Sequence, residues 1–354
     1  MADGKFECKH LKQLLILNLQ LTKKHSSMHI FLTGADGLLG NNLVRILLHR
    51  NYKVTVFIQS GKDLGYLKGL DITAHYGDLL NYQELVDASK NADVFINAAA
   101  VTDTWPNQGS LYWKVNVDGV KNVIKAVKEN NIKRLIHVGT ANSFGPGNLQ
   151  NPGNESTPFD GSRYNLDYIT SKYEAQKIVL AEVRNNQLPA LIVNPTFMIG
   201  PYDVKPSSGK MIISVIKGQV PGYAKGGRNF VYVGDVATAV ANSIEKGRIG
   251  ECYIAAGANL SYKDMFGKIA RIFNVKPPSL AIPGFAVLMY GRILSIIGNL
   301  SKKEPVISFP LAKISNELHY YSNAKAVKEL GMTETNIEDA ITMAVDWFKQ
   351  EKYL

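Results

Sequence analysis

Short apolar runs alternate with helical stretches through the first two thirds of the chain. The runs are rich in β-branched residues, and the stretches between them are mostly ten or more residues long. Buried parallel strands read as unbroken apolar runs, and helices supply the crossovers between them. The pattern therefore predicts an α/β fold with a doubly wound parallel sheet. The predicted strands are His29–Leu32, Val54–Ile58, Ile72–Tyr76, Val94–Ala98, Leu135–Val138 and Ala190–Val193, and the helices include Tyr112–Glu129 and Asp167–Asn185.

The alternation stops after Asn194, where proline and glycine cluster. Such loops build binding surfaces on rigid scaffolds, so a substrate lobe is predicted to begin there. Phe230–Val233 is predicted to be a strand that returns to the sheet, with the helix Asp235–Lys246 on it, and the remainder is mostly helical. The predicted main domain is 28–195 with 229–256 returning to it, and the smaller C-terminal lobe is 196–228 with 257–354.

Composition and charge narrow the class of protein. The 354 residues are 45% hydrophobic and 20% charged, an ordinary balance for a chain that buries a large core without disulfides or metals. The two cysteines, Cys8 and Cys252, lie far apart and favour a reducing, cytoplasmic compartment. The net charge of +10 comes from scattered cations, which favours a solvated surface and an anionic cofactor over a nucleic-acid partner.

Two apolar stretches raise the question of a membrane. Leu14–Leu21 is short and is followed by Lys23 and Lys24, which favours an extension outside the fold at 1–27 over a secretory signal. Ile282–Leu300 is interrupted by proline, glycine and arginine, so no stable membrane insertion is predicted. It favours an amphipathic helical lobe over the substrate pocket, with contact at a membrane surface as the alternative.

Three glycines follow the first predicted strand at a spacing of three. Gly34, Gly37 and Gly40 lie between that strand and the first helix, with Leu38 and Leu39 inside the same turn. Glycines there permit a tight turn and let the backbone approach a pyrophosphate, which the helix N-terminus stabilises. The turn predicts a Rossmann-type site for a nicotinamide dinucleotide.

The residues after the second strand indicate which dinucleotide is bound. Gln59, Ser60 and Lys62 stand where an acidic residue would bind the ribose 2′-hydroxyl of NAD, which favours NADP over NAD. Asp78 is placed for the adenine amino group or as the cap of a helix at Asn81–Ala88. Small residues after the fourth strand leave room for the ribose. The other predicted cofactor contacts are Leu79, Asn97, Ala98, Ala99, Pro195, Tyr168 and Lys172.

Tyr168 and Lys172 put a phenol and an ammonium four residues apart on one predicted helix face. A nearby ammonium favours phenolate, so it is expected to lower the pKa of Tyr168 from its usual value of about 10. Tyr168 can then give a proton to a carbonyl as hydride arrives. This pair is preferred because it follows the fifth strand, where a helix start can face the nicotinamide. The same spacing recurs in Tyr173 with Lys177 and in Tyr321 with Lys325.

Polar residues near the fifth strand complete the predicted chemistry. A hydroxyl there can hydrogen-bond the substrate carbonyl; Thr140 and Ser143 both qualify, and Thr140 is preferred because it lies nearer the strand end. Asn116, in the helix Tyr112–Glu129, is predicted to hold a water on the proton path or to be a buried structural amide. No metal site is predicted, because the histidines are dispersed and His137 on an apolar strand favours the core.

Five segments form a recognisable set within residues 28–349. They are Gly34-x-x-Gly37-x-x-Gly40, Gly77-Asp78-Leu79, Asn97-Ala98-Ala99, Asn116-Val117-x-Gly119 and Tyr168-x-x-Ser171-Lys172. The set resembles the extended short-chain dehydrogenase/reductase family, whose spacing implies Thr140, five residues before Gly145, as the catalytic hydroxyl. Val193–Pro201, Lys205–Gly209 and Phe230–Ala237 are most similar to the dihydroflavonol 4-reductase-like branch, which includes 3β-hydroxysteroid dehydrogenase-like members.

The resemblance implies redox chemistry on a small carbonyl or alcohol substrate, selected by Pro201–Arg228 and Leu260–Tyr321. A homodimer is also expected, because dimers are common among the proteins that this chain resembles. Two alternatives remain: a nucleotide-sugar epimerase or dehydratase with tightly held NAD, and a non-catalytic dinucleotide sensor or scaffold. Sensors often lose the Tyr/Lys pair, which this chain keeps.

Overall fold

The computed structural model describes residues 28–206 and 208–354. The predicted extension 1–27, with its apolar run and Cys8, lies outside the described residues. The strands are β1 His29–Thr33, β2 Lys53–Gln59, β3 Thr73–Gly77, β4 Val94–Asn97, β5 Arg134–Val138, β6 Ala190–Pro195, β7 Phe197–Ile199, β8 Gly222–Tyr223, β9 Gly227–Tyr232, β10 Cys252–Ala255, β11 Ala258–Ser261, β12 Leu280–Ala281 and β13 Leu318–His319.

The helices agree with the predicted ones to within a few residues, except that the predicted helix Tyr112–Glu129 is interrupted by a π-helical segment, Lys114–Asp118. A second π segment is Ala326–Leu330. The α-helices are α1 Leu38–His49, α2 Tyr82–Ala88, α3 Ser110–Trp113, α4 Gly119–Glu129, α5 Asp167–Asn186, α6 Gly209–Ile216, α7 Val233–Lys246, α8 Tyr262–Ile272, α9 Gly284–Ser301, α10 Phe309–Ser315 and α11 Ile337–Gln350.

A parallel sheet of seven strands forms the centre of the fold, in the order β10-β6-β5-β4-β1-β2-β3. This confirms the predicted α/β class with a Rossmann-type doubly wound sheet. The strand order reverses between β1 and β4. The loops after these two strands therefore diverge and leave a crevice at their carboxyl ends, where such sheets bind ligands.

On each central strand, alternate side chains pack into two apolar layers, one on each face of the sheet. In β1, Ile30 and Leu32 belong to the layer that contains α1 and α7, whereas Phe31 belongs to the layer that contains α4 and α5. Burial on both faces explains why the strands read as unbroken apolar runs. The layers fix the ends of β1, β4 and β5 beneath the crevice.

The predicted strand at Phe230–Val233 is real, but its predicted place is wrong. β9 pairs with β7, β11 and β13 in a second sheet, and the seventh strand of the main sheet is β10, beside β6. An apolar strand looks the same in sequence whichever sheet it joins, because its partners are set by distant segments. With α6, α8 and α11, β9 builds the core of the smaller, mostly helical lobe.

Candidate active site

The glycine turn follows β1 and packs closely against the end of β4, at the crevice between these two strands. Gly34 has a φ of +73°, and a Cβ there would lie 2.5 Å from the backbone of Ala98. A Cβ on Gly40 would overlap the Gly34 carbonyl oxygen. Both positions therefore need glycine, the first for its backbone conformation as well as space, and the second for the close approach of α1 to the turn.

Gly37 leaves space for an anion at the N-terminus of α1. It is the exposed N-cap of α1, and within the described part of the chain no side chain caps this helix and no acidic residue lies in its first turn. A Cβ on Gly37 would meet only the Gly34 carbonyl oxygen, at 3.5 Å. Leu38 is half-buried and Leu39 is buried, so they anchor the turn while the helix N-terminus faces outward. These features fit a pyrophosphate.

Replacing Gly37 by valine is expected to weaken dinucleotide binding at least about tenfold without unfolding the protein. The backbone at Gly37 is extended, with φ −82° and ψ 172°, and tolerates a side chain, but the branched chain would fill the anion cradle. Fluorescence titration with NADPH and NADH measures the effect. Gly267→Val in α8, where a Cβ meets nothing within 4 Å, is the control. Equal dinucleotide affinity of both variants would contradict the proposal that the turn at Gly37 binds the pyrophosphate.

The residues that follow β2 are exposed beside this turn. Gln59, Ser60 and Lys62 are all accessible, as the cofactor prediction requires. The Lys62 ammonium, however, pairs at 2.8 Å with the carboxylate of Asp36, which lies inside the glycine turn. Sequence reasoning missed Asp36, although it stands between Gly34 and Gly37 in the motif. A carboxylate is therefore present near the predicted ribose site, supplied by the turn and not by the end of β2.

Asp78 does not cap the following helix, so that alternative is wrong. Its carboxylate accepts from the backbone N–H of Leu80 at 2.9 Å, and the cap of α2 is Asn81, whose side chain accepts from the N–H of Glu84. Asp78 lies three residues before the cap and closes a tight local turn instead. It stays exposed, which leaves the predicted adenine contact open.

Asn97 holds strands together. Its side chain is fully buried, accepts from the Thr33 hydroxyl at 2.6 Å and contacts His137 Nδ1 at 3.2 Å. This links β1, β4 and β5, and leaves the Asn97 side chain no exposed surface for a cofactor. Burial lowers the pKa of His137 well below its usual range, so it is a neutral core residue. The remaining predicted contacts are Ala98, Ala99 and Leu79, which are partly exposed, and Pro195, which is buried.

Three predicted catalytic side chains meet at the end of β5. Tyr168 lies in the first turn of α5, and Thr140 is near enough to its phenol to lower the pKa of that group. Lys172 lies one turn further on, is buried, and donates to the carbonyl of Val138 at 2.6 Å. The buried amide of Asn194 donates to the Thr140 carbonyl at 3.0 Å and fixes the backbone that carries the hydroxyl. The arrangement places a proton donor, a hydroxyl and an ammonium beside the cofactor crevice.

The expected lowering of the Tyr168 pKa is not observed. Burial raises its pKa, and the Thr140 hydrogen bond and the charge of Arg228 only partly oppose this. Burial also lowers the pKa of Lys172 to about 8, because the ammonium has lost its water. The expectation from helix spacing was wrong because it took no account of the water that both groups lose, Tyr168 in part and Lys172 almost fully.

Arg228 is a site residue that sequence reasoning placed only at the edge of a substrate region. It extends from β9, donates from Nε to the Tyr262 hydroxyl at 2.8 Å, and stacks its guanidinium 5.0 Å from the ring centre of Phe197. Its charge reaches Tyr168, since it favours the phenolate. No local pattern could have found it, because it reaches Tyr168 only through the second sheet.

Asn116 is a buried structural amide, as the alternative expected. It accepts from the N–H of Val101 at 2.9 Å and donates to the carbonyl of Val101 and to Ser171 Oγ. The Ser171 hydroxyl in turn donates to the Tyr168 carbonyl at 3.1 Å. Asn116 therefore holds the start of α5 in place. Ser143, the second candidate hydroxyl, is buried.

The other two Tyr-x-x-x-Lys pairs lie elsewhere. Tyr173 stacks on Phe159 with ring centres 3.8 Å apart. Tyr321 is buried and donates to the carbonyl of Phe144 at 3.3 Å. Among the described residues, no group of three or more histidine, cysteine, aspartate or glutamate side chains is placed to hold a metal ion.

A glycine cradle at the reversal of a doubly wound parallel sheet defines a nicotinamide-dinucleotide-binding protein. Over residues 30–256 the sequence matches the NAD dependent epimerase/dehydratase family, and the chain belongs to that family. The family comprises NAD-dependent oxidoreductases, dehydratases and epimerases. It contains the extended short-chain dehydrogenase/reductase branch that the sequence motifs indicated, so that resemblance is confirmed.

Three similar proteins cover most of the chain. The "Putative dihydroflavonol 4-reductase" of Synechocystis sp. is 27% identical, over 92% of this chain and 95% of that protein. The 2-alkyl-3-oxoalkanoate reductase of Shewanella oneidensis is 26% identical, over 86% of this chain and 81% of that protein. The crystal structure of gox2253 is 31% identical, with a TM-score of 0.82, over 92% of this chain and 99% of that chain.

Proposed function

We propose that this protein is an NAD(P)-dependent oxidoreductase that interconverts a ketone and a secondary alcohol, with Tyr168 as the proton donor and acceptor. The observation that carries the proposal is the grouping of Tyr168, Thr140 and the buried Lys172 ammonium at the end of β5, with Tyr168 and Lys172 one helical turn apart on α5. These groups lie at the carboxyl end of β5, on the same edge of the sheet as the glycine cradle.

The geometry supports a simple sequence of proton movements. The substrate carbonyl oxygen accepts hydrogen bonds from Thr140 Oγ1 and the Tyr168 hydroxyl. As the carbonyl carbon gains a hydride, its oxygen becomes an alkoxide, and Tyr168 gives it a proton. The charge of Arg228 favours the phenolate that remains, and Lys172 holds the backbone carbonyl of Val138 at the strand end. A bound dinucleotide supplies the hydride in this direction and accepts it in the reverse one.

Arg228 favours a substrate that carries a negative charge near its carbonyl. A guanidinium close to the proton donor can pair with a carboxylate in a fork geometry. The similar protein from Shewanella oneidensis is named for a 3-oxoalkanoate, which holds a carboxylate two carbons from a ketone. We extend the proposal to 3-oxo acids or ketones with a nearby carboxylate.

Hydride transfer over a panel of ketones tests the function. Each 3-oxo acid is paired with its methyl ester, and absorbance at the nicotinamide band is followed with NADPH and NADH in parallel. Faster turnover of the acids, lost in Arg228→Gln but not in Arg271→Gln, an exposed arginine of α8, is the expected result. Absence of turnover with every ketone, together with NAD that stays bound through purification and a requirement for uridine nucleotides, would instead identify an epimerase or dehydratase.

The proposed preference for NADP rests on the absence of an acidic residue at the end of β2 and on Lys62. Lys62→Ala is expected to raise the KM for NADPH about fivefold to tenfold and to leave that for NADH unchanged, because only NADPH carries the 2′-phosphate. Asp36→Asn, which frees the Lys62 ammonium, is expected to lower the KM for NADPH. An equal change for both cofactors in either variant would show that this ion pair does not select NADP.

A further inference from the structure

Helix α9 turns its large apolar side chains away from the protein. The sequence predicted an amphipathic helix whose apolar face covers the substrate pocket, but the buried positions are Val287, Gly291, Ser295 and Gly298, which are mostly small. Seven large apolar residues are each more than half exposed instead. They are Phe285, Met289, Tyr290, Ile293, Ile296, Ile297 and Leu300.

The buried stripe fastens α9 tightly to its neighbours. A Cβ on Gly291 would lie 2.6 Å from the Cβ of Ala312 in α10, and Ser295 Oγ accepts from the N–H of Phe309 at 2.8 Å. A Cβ on Gly298 would lie 3.0 Å from the Trp105 ring. The helix therefore cannot leave the protein without breaking a close-packed contact, and its outward face is a fixed surface.

The exposed apolar residues form one continuous face. At about 100° per residue, the seven positions fall within an arc of roughly 140°, with Arg292 just outside one edge. Soluble proteins expose apolar side chains singly, and large contiguous patches mark a binding surface. Among the described residues, α9 is the helix long and apolar enough to cross a membrane, and most of it is not buried.

The chain segment that contains α9 is strongly basic. Residues 276–313 contain five cations and one carboxylate, which gives a local net charge of +4. The cations are Lys276, Arg292, Lys302, Lys303 and Lys313, and the carboxylate is Glu304. An apolar helix face bordered by cations is complementary to a bilayer surface that contains anionic lipids.

The geometry favours a helix that lies on a membrane and does not span it. An 18-residue helix is about 27 Å long, slightly shorter than the roughly 30 Å hydrocarbon core. Its inner stripe is already committed to α10 and to the Trp105 loop. Only the outer face is free to enter lipid. Because this face runs along the whole length of α9, the helix would lie in the plane of the membrane surface.

We propose that the outer face of α9 docks the protein on the surface of a membrane that contains anionic lipids. Beneath α9, helix α10 contributes Ile314 and Leu311 to the apolar cluster that includes Tyr168. The docked face is thus one helix away from the reacting group. If the proposed function holds, the ketone substrate is lipid-soluble and enters from the bilayer.

Sedimentation of the full-length protein with vesicles tests the docking. Vesicles of phosphatidylcholine alone are compared with vesicles that also contain phosphatidylglycerol, at low and high salt. The wild type is expected to sediment with the anionic vesicles, and less so at high salt. The double variant Ile293→Asp, Leu300→Asp is expected to lose at least tenfold in partition. The control is Ile249→Asp, an exposed isoleucine before β10, the edge strand of the main sheet.

Two further measurements keep the result unambiguous. Lys302→Glu with Lys303→Glu is expected to remove the preference for phosphatidylglycerol, and thermal unfolding confirms that each variant is folded. Vesicle binding does not depend on turnover, so its outcome is separate from that of the proposed reaction. The proposal is overturned if the wild type binds neither vesicle. It is also overturned if light scattering shows a wild-type dimer that the Ile293/Leu300 variant loses without any vesicle binding, which would assign the face to a second copy of the chain.

Discussion

Tyr168→Phe is expected to lower kcat about 10³-fold while dinucleotide binding stays within about twofold of the wild type. The variant keeps the ring and its packing but loses the hydroxyl whose proton is proposed to pass to the substrate oxygen. The glycine cradle is untouched, so cofactor affinity is preserved. Steady-state turnover of the best ketone and fluorescence titration with NADPH measure the two quantities separately.

Tyr173→Phe is the matched control, since it makes the same chemical change one helical turn away. Tyr173 stacks on Phe159, outside the site, and its variant is expected to keep wild-type turnover. Retained activity in Tyr168→Phe would remove Tyr168 from the mechanism. Loss of cofactor binding in the same variant would show that the tyrosine acts through the dinucleotide site and not through proton transfer.

Lys172→Met is expected to lower kcat about 100-fold and at the same time to stabilise the cofactor-free protein by about 2 kcal/mol at pH 7. Burial lowers the pKa of Lys172 to about 8, and a displacement of that size from the ordinary value costs about 3 kcal/mol when the side chain is charged. Methionine has similar length and no charge, but it loses the hydrogen bond to the Val138 carbonyl. Denaturant unfolding of both proteins measures the difference.

The stability difference is also expected to depend on pH. Because the folded pKa of Lys172 lies below its unfolded value, the folded protein binds fewer protons between about pH 8 and 10.5, and wild-type stability rises with pH in this window relative to the variant. The advantage of Lys172→Met is therefore full below pH 8 and small by pH 10. Lys177→Met, an exposed lysine on the same helix, is expected to show neither effect. A pH-independent advantage would mean that the folded pKa of Lys172 is not lowered from its unfolded value.

The parts of the fold that sequence could predict are those with local causes. The strands of the main sheet show as apolar runs because each is buried on both faces, and the glycine turn shows because Gly34 and Gly40 have no alternative residue. The assignment of β9 to the main sheet failed because strand pairing is decided by contacts far apart in sequence. β10, which has that place, is a short strand beside β6.

In the candidate site, too, the features with local causes could be predicted from the sequence and those with distant causes could not. Helix periodicity brings Tyr168 and Lys172 together, and family spacing indicates Thr140. The direction of the Tyr168 pKa depends on burial by the rest of the fold, and Arg228 reaches the site through β9. Asp36 was visible in the motif, but its partner Lys62 could be paired with it only once the end of β2 was placed beside the turn.

The four buried positions of α9, which are mostly small, leave its outward positions free to change in sequence. Its attachment to α10 depends on Val287, Gly291, Ser295 and Gly298, and the outward positions contribute little to folding. Substitutions there can change what the protein adheres to while the reaction centre stays intact. Exchanging the outer face for polar residues is consequently expected to remove the proposed membrane docking while the fold and the Tyr168 site stay intact.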